Sequence, residues 1–65
     1  MYTEREKLKK ERKRKGLSQE KAARAVNMSR SFYRNIEAGV SDPSLSHLIR
    51  LCNFYGKSVE ELFFN

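Results

Sequence analysis

Residues 18–37 read SQEKAARAVNMSRSFYRNIE, the stretch that decides how this chain folds. Ser18 and Ser29 each precede a helix-forming segment, where a serine hydroxyl accepts a hydrogen bond from a first-turn backbone N–H. Between them, Asn27 is of the non-glycine type that best tolerates the left-handed backbone of a tight turn. The stretch therefore predicts a helix-turn-helix unit over about 18–37, an arrangement that can place its second helix in a major groove.

The second helix of this unit, predicted over about 29–38, has two chemically different faces. At about 100° per residue, Tyr33 and Ile36 share one side with the aliphatic part of Glu37 and should face the core. The opposite arc presents two guanidinium groups, a hydroxyl, an amide and a small side chain, which belong to Arg30, Arg34, Ser31, Asn35 and Ala38. Arginine can bridge two acceptors of guanine, asparagine can pair with adenine, and serine can bond a base or a phosphate. Both a groove-reading face and an ordinary solvated polar face fit this helix taken alone.

Caps and apolar spacing outside this unit predict three more helices, and no segment alternates over a useful length with the period of a β-strand. We therefore expect one all-α domain over residues 1–65, a compact five-helix bundle. Its helices should span about 4–15, 18–26, 29–38, 44–55 and 58–63.

The first helix is expected to begin at a capping box formed by Thr3 and Glu6. It has little apolar surface beyond Leu8, so ion pairs four residues apart should support it. These expected pairs are Glu6–Lys10 and Glu11–Lys15.

The fourth and fifth helices carry most of the remaining apolar residues. Ser58 and Glu61 predict a second capping box for the fifth helix. The fourth helix should bury side chains spaced three or four residues apart, namely Leu45, Leu48, Leu51, Cys52 and Tyr55. His47 on the same helix is expected to be exposed to solvent.

The positive charge of the chain is concentrated at its N-terminal end. Of the net charge of +6, residues 1–15 contribute +5, from eight basic and three acidic side chains. A basic helix of this kind fits binding to nucleic acid, binding to an anionic membrane surface, or simple solvation. The membrane interpretation is the weakest, because the helix lacks the apolar face that interfacial binding needs.

Several function classes find no support in the sequence. Cys52 and His47 are the only cysteine and histidine, so neither an internal disulfide nor a metal site is expected. No nucleophile–base pair and no glycine-rich phosphate loop is present, so we expect neither an enzyme nor a cofactor or small-molecule ligand. Without a membrane-spanning run or a signal peptide pattern, the expected location is cytoplasmic.

The pattern L-S-Q-x-x-x-A-x-x-x-x-M-S-R-S-x-Y-x-x-I-E-x-G over residues 17–39 resembles the Cro/repressor family of helix-turn-helix domains, also called xenobiotic-response-element-like. The match continues through Asp42-Pro43-Ser44-Leu45 and Ser58-Val59-x-x-Leu62-Phe63, so it covers nearly the whole chain. The resemblance implies five helices, binding to double-stranded DNA and, usually, transcriptional repression.

The resemblance also implies roles for individual positions. Base-reading positions of the family match Arg30, Ser31 and Arg34, with Asn35 at a base or phosphate contact. Phosphate contacts are expected at the helix starts Ser18 and Ser29 and at Gln19, which should also brace the first recognition residue; the basic helix adds Lys9, Lys10 and Lys13. Arg12 and Glu37 match a structural pair that links the first helix to the end of the third.

Three positions depart from the family pattern. Ala22 stands where leucine is usual, and Tyr33 or Phe32 is expected to fill the missing volume. Phe32 itself occupies a position that is commonly small and polar. Asp42 lies in a loop that usually carries a phosphate-binding basic residue, which puts that contact in doubt.

A single recognition helix reads few base pairs, so we expect a homodimer on two half-sites. Phe54 and Phe64 are predicted at its interface, because each neighbours an aromatic residue that competes for the same core; alternatively the rings fold back over the core of one monomer. The competing function is an antitoxin-like or other protein-interaction module, with DNA binding secondary.

Overall fold

The computed structural model describes residues 3–64; Met1, Tyr2 and Asn65, which the predicted domain includes, lie outside the described residues. The described chain forms five α-helices and no β-strand. They are α1 Glu6–Arg14, α2 Gln19–Ala25, α3 Arg30–Ala38, α4 Leu45–Tyr55 and α5 Val59–Phe63. The all-α, five-helix prediction is confirmed, with the helix ends one or two residues inside most of the predicted bounds.

Serine residues begin four of the five helices. Each hydroxyl accepts a hydrogen bond from the backbone N–H three residues later, at Ser18, Ser29, Ser44 and Ser58. At the last of these the Glu61 carboxylate also accepts from the Ser58 N–H at 2.9 Å, so the second capping box is confirmed. These caps satisfy backbone donors that have no partner within the helix.

The predicted capping box at the start of α1 is wrong. The helix begins at Glu6, and Arg5 precedes it without a side-chain cap. The Arg5 backbone N–H instead donates to the Glu37 carbonyl, with an N–O distance of 2.7 Å. The preceding Thr3 carbonyl lies so close to Gly39 that a Cβ there would be 2.0 Å from it. Contact with the end of α3 therefore holds Thr3 and Arg5 out of the helix.

The core is formed by one set of fully buried side chains from all five helices. Its members are Leu8, Ala22, Ala23, Val26, Tyr33, Ile36, Leu51, Tyr55 and Leu62. Tyr33 is completely buried in this set, and its hydroxyl lies 2.5 Å from that of Tyr55. Phe32 is only half-buried and meets the His47 ring edge-on at 5.0 Å. Of the two aromatic residues expected to compensate for Ala22, Tyr33 thus supplies volume at the centre of the core.

Helix α4 is turned differently from the prediction. Leu51 and Tyr55 point inward, whereas Leu45 is 73% exposed and Leu48 and Cys52 are only half-buried. At about 100° per residue, Leu45 lies roughly 100° from the inward direction, so a regular spacing of leucines does not suffice to bury it. His47, expected in solvent, is half-buried on the other flank of the inward stripe.

Candidate nucleic-acid interface

The turn between α2 and α3 is held by backbone geometry and by one arginine from α4. Asn27 has the left-handed conformation expected of it, with φ of 58°. The Met28 N–H closes the end of α2 by donating to the Ala23 carbonyl at 2.8 Å. The Arg50 guanidinium donates to the carbonyls of Val26 and Asn27 at 3.1 and 3.3 Å. One terminal nitrogen of the guanidinium makes both bonds, so Arg50 ties α4 to the carbonyl end of α2.

The two faces of α3 are separated as the sequence predicts. Tyr33, Ile36 and Glu37 are buried. Arg30, Ser31 and Arg34 are exposed, while Asn35 and Ala38 are half-buried. Within residues 3–64, neither the Arg30 nor the Arg34 side chain forms a hydrogen bond or an ion pair. Two unpaired guanidinium groups, one helical turn apart, therefore lie ready to bind an acceptor on another molecule.

Behind this face, Arg12 and Glu37 form a buried ion pair. Their Nε–Oε2 distance is 2.7 Å, and a second contact joins a terminal guanidinium nitrogen to Oε1 at 3.3 Å. Arg12 is 8% exposed and Glu37 is 2% exposed. The hydrogen bond to Glu37 raises the pKa of Arg12, against the opposing effect of burial. Arg12 also donates to the Leu17 carbonyl at 2.7 Å, so it links the start of the helix-turn-helix unit to the end of α3.

Gln19 lies beside this pair. Its amide nitrogen donates to Glu37 Oε1 at 3.3 Å, and the side chain is half-buried. No hydrogen bond joins it to Arg30 within the described chain, so the expected bracing of the first recognition residue is absent from this structure. The amide has a second N–H, which leaves one donor for a phosphate.

The basic side chains of α1 are more occupied than the sequence suggests. Neither of the two expected ion pairs forms within the described residues. The ammonium of Lys9 instead lies 3.5 Å from Glu4, Arg14 pairs with Glu11 at 3.3 Å, and Lys15 sits over the Phe54 ring at 4.9 Å. Lys7 donates to the Phe64 carbonyl. Apolar rings and carbonyls of the C-terminal region thus compete successfully with the acidic residues of the same helix.

Lys10 and Lys13 differ from the other basic residues near α1. Both are exposed, and neither side chain has a hydrogen bond or ion pair to a described residue. Of the three lysines expected to bind phosphate, these two are therefore available, while Lys9 is half-buried and paired.

The aromatic residues expected at a dimer interface lie in unlike surroundings. Phe64 is 59% exposed. Phe54 packs against the core, lies edge-on to Tyr55 at 4.9 Å and is covered by Lys15. Phe54 therefore matches the alternative expectation, in which the ring folds back over the core of one monomer. The exposed apolar residues of α4 are instead Leu45 and Ile49, the latter 51% exposed.

Sequence reasoning missed Arg5 and Arg50, whose guanidinium groups bind the ends of the two helices of the unit. A helical wheel places Arg50 roughly 120° from the inward direction of α4, so the periodicity gives no signal for an internal contact. Nothing local to Arg5 distinguishes it from its basic neighbours. Among residues 3–64, no group of acidic, histidine and cysteine side chains could hold a metal ion, and no helix is long and apolar enough to cross a membrane.

Comparisons with known proteins agree with this geometry. A family profile described as helix-turn-helix matches residues 8–62. Among solved structures, the chain is similar to the restriction-modification controller protein C.AhdI from Aeromonas hydrophila. The two share 33% sequence identity over 88% of this chain and 86% of that one, with a TM-score of 0.77. No curated protein matches the sequence.

Proposed function

We propose that this protein is a sequence-specific repressor that inserts α3 into the major groove. The chain belongs to the Cro/C1-type helix-turn-helix family and is a DNA-binding transcriptional regulator. The observation that carries this proposal is the pair Arg30 and Arg34, whose side chains are exposed on one side of α3 and have no partner among residues 3–64. The other guanidinium groups in and beside the helix-turn-helix unit bind acceptors within the protein, namely those of Arg5, Arg12, Arg24 and Arg50.

The proposed roles follow from the chemistry of each side chain. Arg30 and Arg34 bridge the two acceptors of a guanine, and Ser31 bonds a base edge or a neighbouring phosphate. Asn35 is half-buried, so it reaches a base or phosphate only at the edge of the contact. The backbone N–H groups beside Ser18 and Ser29, with Gln19, bind phosphates on either side of the groove.

Lysines of α1 add contacts that do not depend on sequence. Lys10 and Lys13 contribute most of them, because they are exposed and unpaired within the described chain. Lys9 contributes less, since it must first leave Glu4. Such contacts raise affinity for all DNA alike and release bound counterions.

We propose further that two copies bind together, on half-sites about 34–36 Å apart. The surface that supports this is the exposed α4 face of Leu45 and Ile49, which with Val59 borders a shallow apolar groove. Exposed apolar groups clustered on so small a domain favour contact with a second molecule. Phe64 remains a proposed member of the interface; Phe54 can join it only if Lys15 moves from its ring.

The same α4 face supports a second candidate function, an antitoxin-like or other protein-interaction module with DNA binding secondary. An adjacent gene on the same transcript that encodes a toxin-like protein would favour it. The similarity to a restriction-modification controller protein favours the first function, sequence-specific regulation through DNA binding. Both candidate functions fit the expected cytoplasmic location. Neither function requires an enzyme activity, a cofactor or a small-molecule ligand.

Selection from random double-stranded DNA, read out by sequencing, tests the first proposal. We expect one enriched motif with two related halves. Recovery of no motif, while the protein still binds DNA weakly, would contradict sequence-specific recognition.

Analytical ultracentrifugation on a duplex with both halves tests the assembly. Two proteins per duplex are expected at saturation, and an Ile49→Ser change should weaken the pairing markedly because it removes apolar area from each copy. The matched control is Val40→Ser, since Val40 is also exposed, at 45%, but lies in the loop after α3. Strictly one protein per duplex, or equal effects of both changes, would remove the proposed α4 interface.

A further inference from the structure

The C-terminal end of α3 is held by the segment that precedes α1. Gly39 ends the helix in a left-handed conformation, and the N–H groups of Gly39 and Val40 turn back to the carbonyls of Ile36 and Asn35 at 3.2 and 2.9 Å. This is a Schellman motif, which satisfies part of the acceptor capacity at a helix end. The acceptors that this motif leaves open include the Glu37 carbonyl and the second lone pair of the Ile36 carbonyl.

Arg5 satisfies both. Its backbone N–H donates to the Glu37 carbonyl at 2.7 Å, and one terminal guanidinium nitrogen donates to the Ile36 carbonyl at 2.8 Å and to the Ser41 carbonyl at 2.7 Å. The other terminal nitrogen reaches Asp42 at 2.5 Å. The side chain is 18% exposed and its guanidinium carbon lies 5.2 Å from the centre of the Phe63 ring. One residue therefore joins the last turn of α3, the loop after it, and α5.

The packing of Gly39 shows how closely the segments fit. Any Cβ at position 39 would overlap the Thr3 carbonyl, so the N-terminal segment lies directly on the helix end. The contact also accounts for Asp42, which is 88% exposed and would repel a phosphate, but which here pairs with Arg5. An exposed ion pair of this kind adds little by itself, so the bonds to the two backbone carbonyls are the stronger part of the contact.

We infer that Arg5 is a positioning residue for DNA reading: it sets the place of the C-terminal half of α3, which carries the side chains of Arg34 and Asn35. This inference rests on the proposed function. If α3 lies in a groove, a small shift of its C-terminal end moves the Arg34 guanidinium away from the base. A bidentate contact is then lost, because such contacts require fixed geometry. The N-terminal half of α3, with Arg30, is held separately by the turn and by Arg50.

Arg5→Lys is the informative variant, because it keeps the charge but cannot reproduce the planar fork of donors. We expect the ratio of affinities for the selected motif and for random DNA to fall roughly tenfold, as for the loss of one hydrogen bond to a charged group. The selection is repeated with this variant and with the two alanine variants. Arg5→Lys should lose preference at the base pairs whose preference Arg34→Ala removes, and should keep it at those whose preference Arg30→Ala removes. Hydrogen exchange at the Val40 and Ser41 amides, which bond to the Asn35 carbonyl, should become faster.

Arg14→Lys serves as the control, since Arg14 lies on α1 and, among residues 3–64, pairs only with Glu11 of the same helix. A residue with a purely stabilising role would lower the melting temperature and the active fraction on all DNA equally, leaving the affinity ratio and the motif unchanged. That result for Arg5→Lys, measured well below its melting temperature, would overturn the inference. A wild-type chain that enriches no motif would instead overturn the proposed function, and the inference with it.

Discussion

Helices α1 and α3 are both basic on their outer faces, but they make different use of their charges. In and around α1, most cationic groups are neutralised or covered, among others by Glu4, Glu11, the Phe54 ring and the Phe64 carbonyl, and only the Lys10 and Lys13 ammonium groups have no such partner within residues 3–64. On α3, Arg30 and Arg34 have no such partners within residues 3–64. The region with the higher charge density is thus not the one with the more available arginines, and pairing rather than charge count identifies the candidate DNA-reading face.

The largest effect is expected where the two helices are joined. Arg12→Met leaves Glu37 buried without its partner, which should cost about 3–5 kcal/mol of unfolding free energy, enough to unfold a small domain. The double variant Arg12→Met/Glu37→Leu should recover much of that loss. Thermal melts followed by circular dichroism measure both. A neutral Arg12→Met would mean that the pair contributes little in solution, and α1 would no longer be a support for α3.

The inner face of α3 should make the protein sensitive to alkaline pH. Burial raises the pKa of Tyr33 and of Tyr55 above that of free tyrosine. Because the folded-state pKa is the higher one, the unfolded chain loses these protons first, and stability falls as pH rises above about 10. The free energy of unfolding should fall by about 1.4 kcal/mol per pH unit for each tyrosine that stays protonated in the folded state.

Denaturant unfolding at pH 9 to 11.5 measures this loss. Tyr2 is the remaining tyrosine of the chain, so a Tyr2→Phe variant is the control and should retain the pH dependence. A stability that stays flat in this range would contradict burial of the two hydroxyl groups.

The outer face of α3 should determine sequence preference. Arg30→Ala or Arg34→Ala is expected to cost about 1–3 kcal/mol on the selected site and less on random DNA, because only a bidentate base contact distinguishes sequences. Arg24→Ala is the matched control, since Arg24 is exposed on α2 and pairs with Glu20. Fluorescence anisotropy titrations on the two DNAs give the comparison. Equal losses on both would show that the α3 arginines contact phosphates only.

Smaller and non-specific effects are expected from α1. If each copy neutralises about four to six phosphates, log K against log salt should slope at roughly −4 to −5. Replacing Lys10 and Lys13 with Gln should weaken binding to all sequences alike and reduce the slope by nearly two. Replacing Lys7 and Lys15, which are engaged with the C-terminal region, should change it less. An equal change of the slope for the two pairs of lysines would contradict the distinction between available and occupied lysines. An affinity independent of salt would contradict DNA binding.

Much of the fold follows from local sequence. The serine caps at Ser18, Ser29, Ser44 and Ser58, and the left-handed turn at Asn27, each depend on residues within one helical turn of one another. Such interactions are nearly independent of the rest of the chain. The separation of α3 into a buried and an exposed face also follows, because the helical period alone assigns its residues to sides.

Contacts between distant segments could be decided only by the tertiary structure. Thr3 matches a capping box, yet its backbone is held against Gly39, 36 residues away in sequence. In the sequence, nothing distinguishes Arg5 and Arg50 from the other basic residues. Packing of the helices brings their guanidinium groups to the carbonyls at the ends of α3 and α2. Periodicity marked Leu45 as buried, but the direction of the core relative to α4 leaves it exposed. The local sequence pattern determined where the helices form and which residues of α3 lie on its buried and exposed faces. The partner of each charged side chain and the apolar face that stays exposed depend on how the helices pack. The interactions that decide both join groups that are far apart along the chain.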